Sequence, residues 1–271
     1  MSPNGLVLAN EGFHAPGPID FFLPDFTGKS WDQGGYQVLL TKASILLILG
    51  GVLAYLFLAI TSRKAAVVPS KAQYLGEQAY TFVRNGVAQD VIGRDYLKYV
   101  PLLVSLFFFV LFNNLFGIVP ILSFAPFSKA SFAYGLAALV WIIYNAIGIA
   151  DKGLVGYLKH STVPSGVPAW ILPLLIPLEF LSNIVIRPVT LSLRLFANMF
   201  AGHLLLILFS TGGAYLLINA TGSVVLKPAG ILAFALGIAV GFLEVVVAVL
   251  QAYVFTLLAA QYISGVLASD H

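Results

Sequence analysis

The chain has 271 residues, of which 59% are hydrophobic and only 9% charged, with a formal net charge of +3. Soluble domains carry roughly 25% charged residues, so this composition excludes an ordinary soluble protein and indicates a polytopic membrane protein. The small net charge implies neither nucleic-acid binding nor an acidic substrate. The absence of cysteine excludes a disulfide framework, a catalytic thiol and a cysteine-ligated metal.

Residues 1–35 mix proline, glycine, asparagine and aspartate with short apolar patches, so we expect an irregular external tail. Residues 36–271 are then predicted to form a single membrane domain. The tail lacks an apolar core with a basic flank, so it does not match a cleaved signal peptide, and no transit peptide is evident. These features favour a bacterial plasma membrane over an organelle.

Three apolar stretches are long enough to cross a bilayer core of about 30 Å as helices. They cover residues of about 38–60, 99–120 and 132–150. Between the first two, about residues 72–92 place apolar side chains at helical spacing and polar side chains on the other face. This pattern predicts an amphipathic helix on the membrane surface.

The remaining apolar sequence, about residues 170–267, is too long for two ordinary spans. Its first part, Trp170 to Asn219, would measure roughly 75 Å as one helix, far more than a bilayer is thick. The prolines at 173, 177 and 188 can break or kink it, leaving either a re-entrant piece plus a span or one strongly tilted helix. The second part is also overlong, which predicts a tilted hairpin turning near residue 220. The predicted fold is therefore all-α, with three ordinary spans, a surface helix and this hairpin.

The distribution of cations predicts the orientation, because cytoplasmic loops carry more lysine and arginine. Residues 61–98 carry six cations and residues 151–168 carry two, whereas the opposite segments carry one each, Lys29, Lys129 and Lys227. The N-terminus is therefore predicted outside and the C-terminus in the cytoplasm. Lys42, near the entry of the first span, is expected to snorkel to the surface.

A cation lies in the middle of the hairpin, in the segment Arg187-Pro-Val-Thr-Leu-Ser-Leu-Arg194-Leu-Phe-Ala-Asn198-Met-Phe-Ala-Gly-His203. Arginine is never neutral in proteins, and placing one at the bilayer centre costs at least ~3 kcal/mol. Such a residue normally faces a protein interior or a water-filled path, so Arg194 is a candidate functional residue. A structural ion pair with Glu244 is the alternative.

Three polar residues of the last apolar segment are separated by nearly whole helical turns and form one line: Glu244, Gln251 and Tyr262. Folding the hairpin about residue 220 brings His203 opposite about residue 237, Arg194 opposite about 246 and Glu179 opposite about 261. Arg194 would then lie between Glu244 and Gln251 in depth, with His203 towards the outside. Glu179 and Tyr262 would sit together at the cytoplasmic end.

Titratable groups on both sides of a permanent cation suit proton movement with a barrier in the middle. A fixed cation repels a hopping proton and stabilises a carboxylate presented by another protein. The amides of Asn114, Asn198 and Gln251 could equally be helix-packing groups, and a structural hydrogen bond is the alternative for His203 and Glu244. The sequence contains no metal-binding cluster, phosphate-binding glycine loop or nucleophile triad, and it implies no cofactor.

The segment from Pro188 to His203, followed by Glu244, Gln251 and Tyr262, strongly resembles subunit a of F-type ATP synthases. The run Asn113-Asn114-Leu-Phe-Gly-Ile-Val-Pro120 is similar to an asparagine-bearing motif of the same family. The resemblance covers roughly residues 36–267, and the arginine motif is highly specific. It implies a stator subunit of the membrane sector, packed against a rotating ring of c subunits and associated with a b-type peripheral stalk, other synthase subunits and membrane lipids.

The resemblance also implies roles for particular residues. Arg194 would face the ring carboxylate, promote its deprotonation and block a direct proton shunt between two half-channels. The outer half-channel would be lined by Asn114, Asn198, His203, Glu244 and Gln251. The cytoplasmic half-channel would have Glu179 and Tyr262 nearby.

The family pattern is not matched everywhere. An early carboxylate that some relatives carry is Gly117 here, and the His203 and Glu244 order is one of two known arrangements. A proton-coupled solute carrier is an alternative function, but it would need a mid-membrane substrate site, and we find no internal repeat of the kind such carriers show. A purely structural anchor is a third possibility. Ring size and the choice of protons over sodium are set mostly by the ring, with protons as the default.

Overall fold

The computed structural model describes residues 16–17, 41–62, 70–93, 95–119, 122–162, 170–218 and 226–268. Within these ranges the chain is helical and has no strand element, which confirms the all-α class. The described residues include five helical segments that are long and apolar enough to cross a membrane. Apart from residues 16 and 17, the predicted tail lies outside the described residues, so the tail and the single membrane domain stay predictions.

The first half of the chain contains two membrane-length helices and a shorter amphipathic one. Helix α1 covers Lys42–Ser62 and α4 covers Tyr96–Leu115. Between them, α2 covers Lys71–Val83 and continues through a π-helical segment, Arg84–Gln89, into the short α3, Asp90–Ile92. This helical stretch occupies the place predicted for the surface helix, and its apolar face is buried at Val83, Val87 and Ala88.

Helix α5, Ala130–Thr162, extends well beyond the predicted end of the third span at about residue 150. It contains a kink at Gly153, whose φ of 71° lies in the left-handed region that glycine adopts without steric cost. After the kink the helix folds back, because the buried Tyr157 hydroxyl donates to Asn145 Oδ1 at 2.5 Å. Gly148 makes room for this return, since a Cβ there would overlap the Tyr157 ring.

The hairpin is built from two long helical arms. The first arm runs without interruption from Leu172 to Ile218 as α6, Leu172–Phe180, a π-helical segment, Leu181–Ile186, and α7, Arg187–Ile218. The second arm is α8, Leu226–Leu267. Of the two alternatives for residues 170–219, the structure has the continuous helix. The π-helical segment comes just before Pro188, which has no N–H for the carbonyl of Ile184 and so disturbs the regular hydrogen-bond pattern.

Helix α4 lies at the centre of the fold, with α1 on one side and α8 on the other, while α7 and α8 contact each other along the hairpin. Phe107 and Phe108 of α4 are buried in the main apolar cluster. Gly50 of α1 lies directly against the side chain of Asn113, which is fully buried and donates from Nδ2 to the carbonyl of Phe109 at 2.8 Å. This close approach of α1 and α4 requires a residue without a side chain at position 50.

We therefore expect Gly50→Ala to lower the free energy of unfolding in mixed micelles by about 1–3 kcal/mol, because the new methyl group would overlap Asn113. Gly51→Ala is the matched control, since the nearest atom to its Cβ would be Phe109 Cε2 at 3.5 Å, an ordinary contact. Both substitutions gain the same helix propensity. Equal stability of the two variants would contradict the close approach at residue 50.

Candidate functional site

The register of the hairpin is set by contacts between small and polar residues. Gly202 of α7 lies directly against the carboxylate of Glu244, and Asn198 Nδ2 donates to Gln251 Oε1 at 2.6 Å. The expected pairing about residue 220 is therefore wrong, because the residue opposite this part of α7 is Glu244 rather than residue 237. Gln251 pairs with Asn198, which lies on the His203 side of Arg194. Arg194 therefore does not lie between Glu244 and Gln251 in depth, as was expected.

A small cavity between α4, α7 and α8 brings three predicted site residues together: Asn114, His203 and Glu244. The cavity leaves about 10 Å³ in which the centre of a water molecule can move, which is enough space to hold one water. Gly117 also lines the cavity, so the position where some relatives carry a carboxylate borders this site without contributing an acid. The cavity thus joins two titratable side chains and an amide inside an apolar protein.

The amides around the cavity are incompletely satisfied. Asn114 is almost fully buried and its Nδ2 donates to the carbonyl of Ala248 at 3.4 Å. Among the described residues, its Oδ1 and the Nε2 of Gln251 are buried without a hydrogen-bond partner. Buried polar groups of this kind are expensive unless water or a proton-carrying group reaches them. The bond between Asn198 and Gln251 does join α7 to α8. The unsatisfied Oδ1 of Asn114 and Nε2 of Gln251 can still form hydrogen bonds with water.

His203 and Glu244 are both buried, each with 9% of its surface exposed. The ring of Phe124, from the loop after α4, packs edge-on against the His203 ring at a centroid distance of 5.8 Å. Glu244 can approach α7 only because residue 202 is glycine, since a Cβ there would overlap the carboxylate. Both side chains therefore have positions defined by packing.

Arg194 lies on a different surface from the cavity. Its side chain is exposed, as is that of Asn198 one turn away, whereas the neighbouring Leu191 and Leu195 are buried. Among the described residues, its guanidinium takes part in none of the hydrogen bonds or ion pairs. The alternative of a structural ion pair with Glu244 is therefore wrong, because Glu244 is buried against Gly202.

The group predicted for the cytoplasmic end is arranged differently from the expectation. Tyr262 contacts Arg187 rather than Glu179, with the guanidinium carbon of Arg187 5.5 Å from the centre of the Tyr262 ring. Glu179 instead accepts from Asn183 Nδ2 at 3.4 Å, and the same Nδ2 donates to the carbonyl of Ser161 at 2.6 Å. Glu179 and Tyr262 lie in the same region, but Glu179 is about two turns further from Arg194 than Arg187 is.

Sequence reasoning missed several residues that shape these sites. Tyr144 of α5 is buried, donates its hydroxyl to the carbonyl of Asn183 at 3.1 Å and packs on the Tyr262 ring at 5.5 Å. Asn183 itself connects Glu179 to the end of α5. For Asn183, the signal available in the sequence was a polar residue in an apolar run shortly before Pro188. Nothing in the sequence marked Gly202 or Phe124, because their importance comes from contacts across the fold.

Comparison with known proteins gives one family. The family model for the ATP synthase A chain matches residues 43–264. The chain is 52% identical to ATP synthase subunit a of Nocardioides sp. over 265 residues, covering 96% of this chain and 95% of that protein. It is 47% identical to the subunit a of Pseudarthrobacter chlorophenolicus, covering 95% and 94%, and 39% identical to that of Streptomyces lividans, covering 96% and 90%.

The bond between Asn198 and Gln251 can be measured with a double-mutant cycle of the two alanine variants. We expect a coupling of about 0.5–1.5 kcal/mol in the free energy of unfolding in mixed micelles, the range found for polar contacts between membrane helices. The control cycle pairs Gln251→Ala with Thr190→Ala, because the Thr190 hydroxyl bonds only carbonyls of its own helix. Equal coupling in the two cycles would argue against the observed register.

Proposed function

The chain belongs to the family of ATP synthase A chains, the proton-transporting membrane subunits of that complex, and we propose that it is the stator that guides protons past the c ring. In this role it forms two half-channels against the ring and couples proton translocation to ring rotation and ATP synthesis. It does not hydrolyse ATP itself. Other subunits of the complex carry the catalytic sites, and this subunit provides the path for protons.

The observation that supports the proposal most directly is the position of Arg194. A guanidinium cannot release its charge, and one at membrane depth needs an anion or water nearby. The hydrogen bonds and ion pairs among the described residues leave it without a carboxylate, and it lies on an exposed face of α7. An acidic side chain presented by a rotating neighbour would meet that need. Arg194 would favour the ionised carboxylate and so promote release of its proton.

The proposed outer half-channel is the cavity of Asn114, His203 and Glu244, extended by the pair Asn198 and Gln251. These groups can hold a water molecule and exchange protons, which is what a path for protons requires. Unsatisfied amide atoms at Asn114 and Gln251 support this assignment, since water can satisfy them.

The proposed inner half-channel lies at Glu179 and Tyr262, on the other side of Arg194 along α7. The hydrogen bond from Asn183 to Glu179 and the packing of Tyr262 on Tyr144 hold these two side chains in place. Glu179 is half-buried, so its carboxylate can exchange protons with water at the cytoplasmic end.

We place the subunit in a bacterial plasma membrane, with the N-terminus outside and the C-terminus in the cytoplasm. Its proposed partners are the c-subunit ring, a b-type peripheral stalk subunit, other synthase subunits and membrane lipids. The two arms of the hairpin are the least buried of the five membrane-length segments. Their exposed apolar surface supports contact with a ring of apolar helices and with lipid.

Arg194→Ala is expected to reduce proton-driven ATP synthesis at least about a hundredfold, because a fixed charge at the point of proton transfer is lost. The measurement is ATP synthesis in membrane vesicles, together with co-purification of the c ring to establish assembly. Thr190→Ala, one turn away on the same exposed face, is the control and should retain synthesis. Normal synthesis by assembled Arg194→Ala complexes would refute the proposed role.

Gly202→Ala is expected to reduce synthesis roughly ten- to a hundredfold, because the methyl group would displace the Glu244 carboxylate from the cavity. The matched control is Gly241→Ala on the opposite arm, whose Cβ would have Leu206 Cδ2 as its nearest neighbour at 3.9 Å. Rates are compared per assembled complex. Equal rates for the two variants would show that the position of Glu244 is unimportant.

A further inference from the structure

The π-helical segment of the first arm leaves one backbone carbonyl without a helical partner. Across Leu181–Ile186 the hydrogen bonds are shifted by one residue, so the N–H of Arg187 donates to the carbonyl of Ser182. The next N–H along the chain would belong to residue 188, which is a proline. The carbonyl of Asn183 therefore lacks both of the donors that could serve it in a helix.

The hydroxyl of Tyr144 takes the place of the missing donor. It reaches from α5 to the carbonyl of Asn183 at 3.1 Å, and Tyr144 is only 2% exposed. The Tyr144 ring also packs against the Tyr262 ring of α8, with the centroids 5.5 Å apart. Because a buried carbonyl without a partner is costly, this bond stabilises the irregular segment and fixes the position of Asn183.

The side-chain amide of Asn183 has a defined orientation. Its Nδ2 donates to the carbonyl of Ser161, at the end of α5, at 2.6 Å and to Glu179 Oε2 at 3.4 Å. Reversing the amide would place its oxygen against these two acceptors, so the contacts determine which atom faces them. The oxygen, Oδ1, is buried and takes part in no hydrogen bond among the described residues. A buried acceptor of this kind is normally satisfied by an ordered water molecule.

The other titratable groups of this region are poor acceptors for a proton from Glu179. They come from the same arm, from α5 and from α8: Arg187, Tyr144 and Tyr262. Arginine is always protonated, and a neutral tyrosine hydroxyl does not accept a proton near neutral pH. The lysines near this end of α5, Lys152 and Lys159, already carry a proton as well. Among the described groups, this leaves water as the acceptor.

We propose that Asn183 binds the water molecule that receives the proton of Glu179, and that Tyr144 holds Asn183 in position for this step. The inference rests on the proposed function, because it assigns Glu179 to the inner half-channel. The proton passes from the carboxyl group of Glu179 to the water at Asn183 Oδ1, and this water passes a proton on to the cytoplasmic solvent. The carboxylate that remains accepts from Asn183 Nδ2, so one amide serves both the water and the ionised acid.

The test is ATP synthesis by the intact complex in proteoliposomes. The pH on the cytoplasmic side is varied, and a potassium diffusion potential keeps the total driving force constant. Asn183→Leu cannot bind the water, so we expect synthesis about three- to tenfold slower than wild type at acidic pH on that side. The deficit should shrink as that pH or the buffer concentration rises, because hydroxide and buffer bases then take the proton directly. It should not depend on the pH of the outer side.

Asn183→Ala separates water binding from packing. Alanine leaves space that water can fill, so this variant should synthesise ATP faster than Asn183→Leu. A packing role alone predicts the reverse order, since alanine leaves a hole and leucine fills it. Rates are compared per complex that co-purifies with the c ring. The inference would be overturned if Asn183→Leu were as fast as Asn183→Ala or faster, or if its deficit were the same at every pH on the cytoplasmic side.

Tyr144→Phe tests the second part of the proposal. It keeps the ring on Tyr262 but removes the bond to Asn183, so synthesis should be about two- to fivefold slower, with the same dependence on cytoplasmic pH. Tyr253→Phe is the matched control. The Tyr253 ring packs on Phe82, also at 5.5 Å, but its hydroxyl takes part in no hydrogen bond among the described residues. The control should match wild type at every pH, and a Tyr144→Phe variant that also matched wild type would refute the role of Tyr144.

Glu179→Gln distinguishes failure of this inference from failure of the proposed function. If assembled Glu179→Gln complexes synthesised ATP normally, the inner half-channel of the proposed function would be wrong. If Glu179→Gln lost synthesis while both Asn183 variants kept the wild-type rate at every pH, only the role of Asn183 would be wrong.

Discussion

The contact between α7 and α8 is the interaction on which the arrangement of polar groups depends. Gly202 admits the Glu244 carboxylate, and one turn away Asn198 pairs with Gln251. A shift of one residue along α8 would turn Glu244 by about 100° and carry it out of the cavity. Because an unpaired polar group in apolar surroundings costs several kcal/mol, such a shift would be unfavourable at several positions at once. The register is therefore determined by the polar residues and the one glycine that fits them.

Arg194 is the exception to this inward arrangement. Glu244 cannot serve as its partner, because the carboxylate is buried against Gly202. Arg194 is exposed on the first arm of the hairpin, and apolar residues of the same arm, such as Leu193 and Leu205, are also exposed. A permanent charge in such surroundings is stable only beside an anion or water. Under the proposed function, this face meets a surface that combines apolar contact with an acidic group.

Much of the fold could be predicted from the sequence, because helix length and apolar periodicity are local properties. The all-α class, the five membrane-length segments and the polar line of Glu244, Gln251 and Tyr262 on α8 are of this kind. The register of the hairpin could not be predicted, because it depends on how Gly202 fits Glu244 across the interface. The return of α5 after Gly153 was missed for the same reason, since it depends on a bond between Tyr157 and Asn145.

The corrected register also changes the physical argument about proton movement. On α7, the pair of Asn198 and Gln251 lies about one turn to one side of Arg194, and the contact of Arg187 with Tyr262 lies about two turns to the other. Gln251 was expected to lie inward of Arg194 and to connect the two sides. It lies on the His203 side of Arg194 instead, so it does not connect them. On the proposed function, a proton that enters the cavity cannot pass along this chain to Glu179 without approaching a permanent positive charge. It needs a carrier that binds it on one side and moves, which is the task that a ring carboxylate would perform.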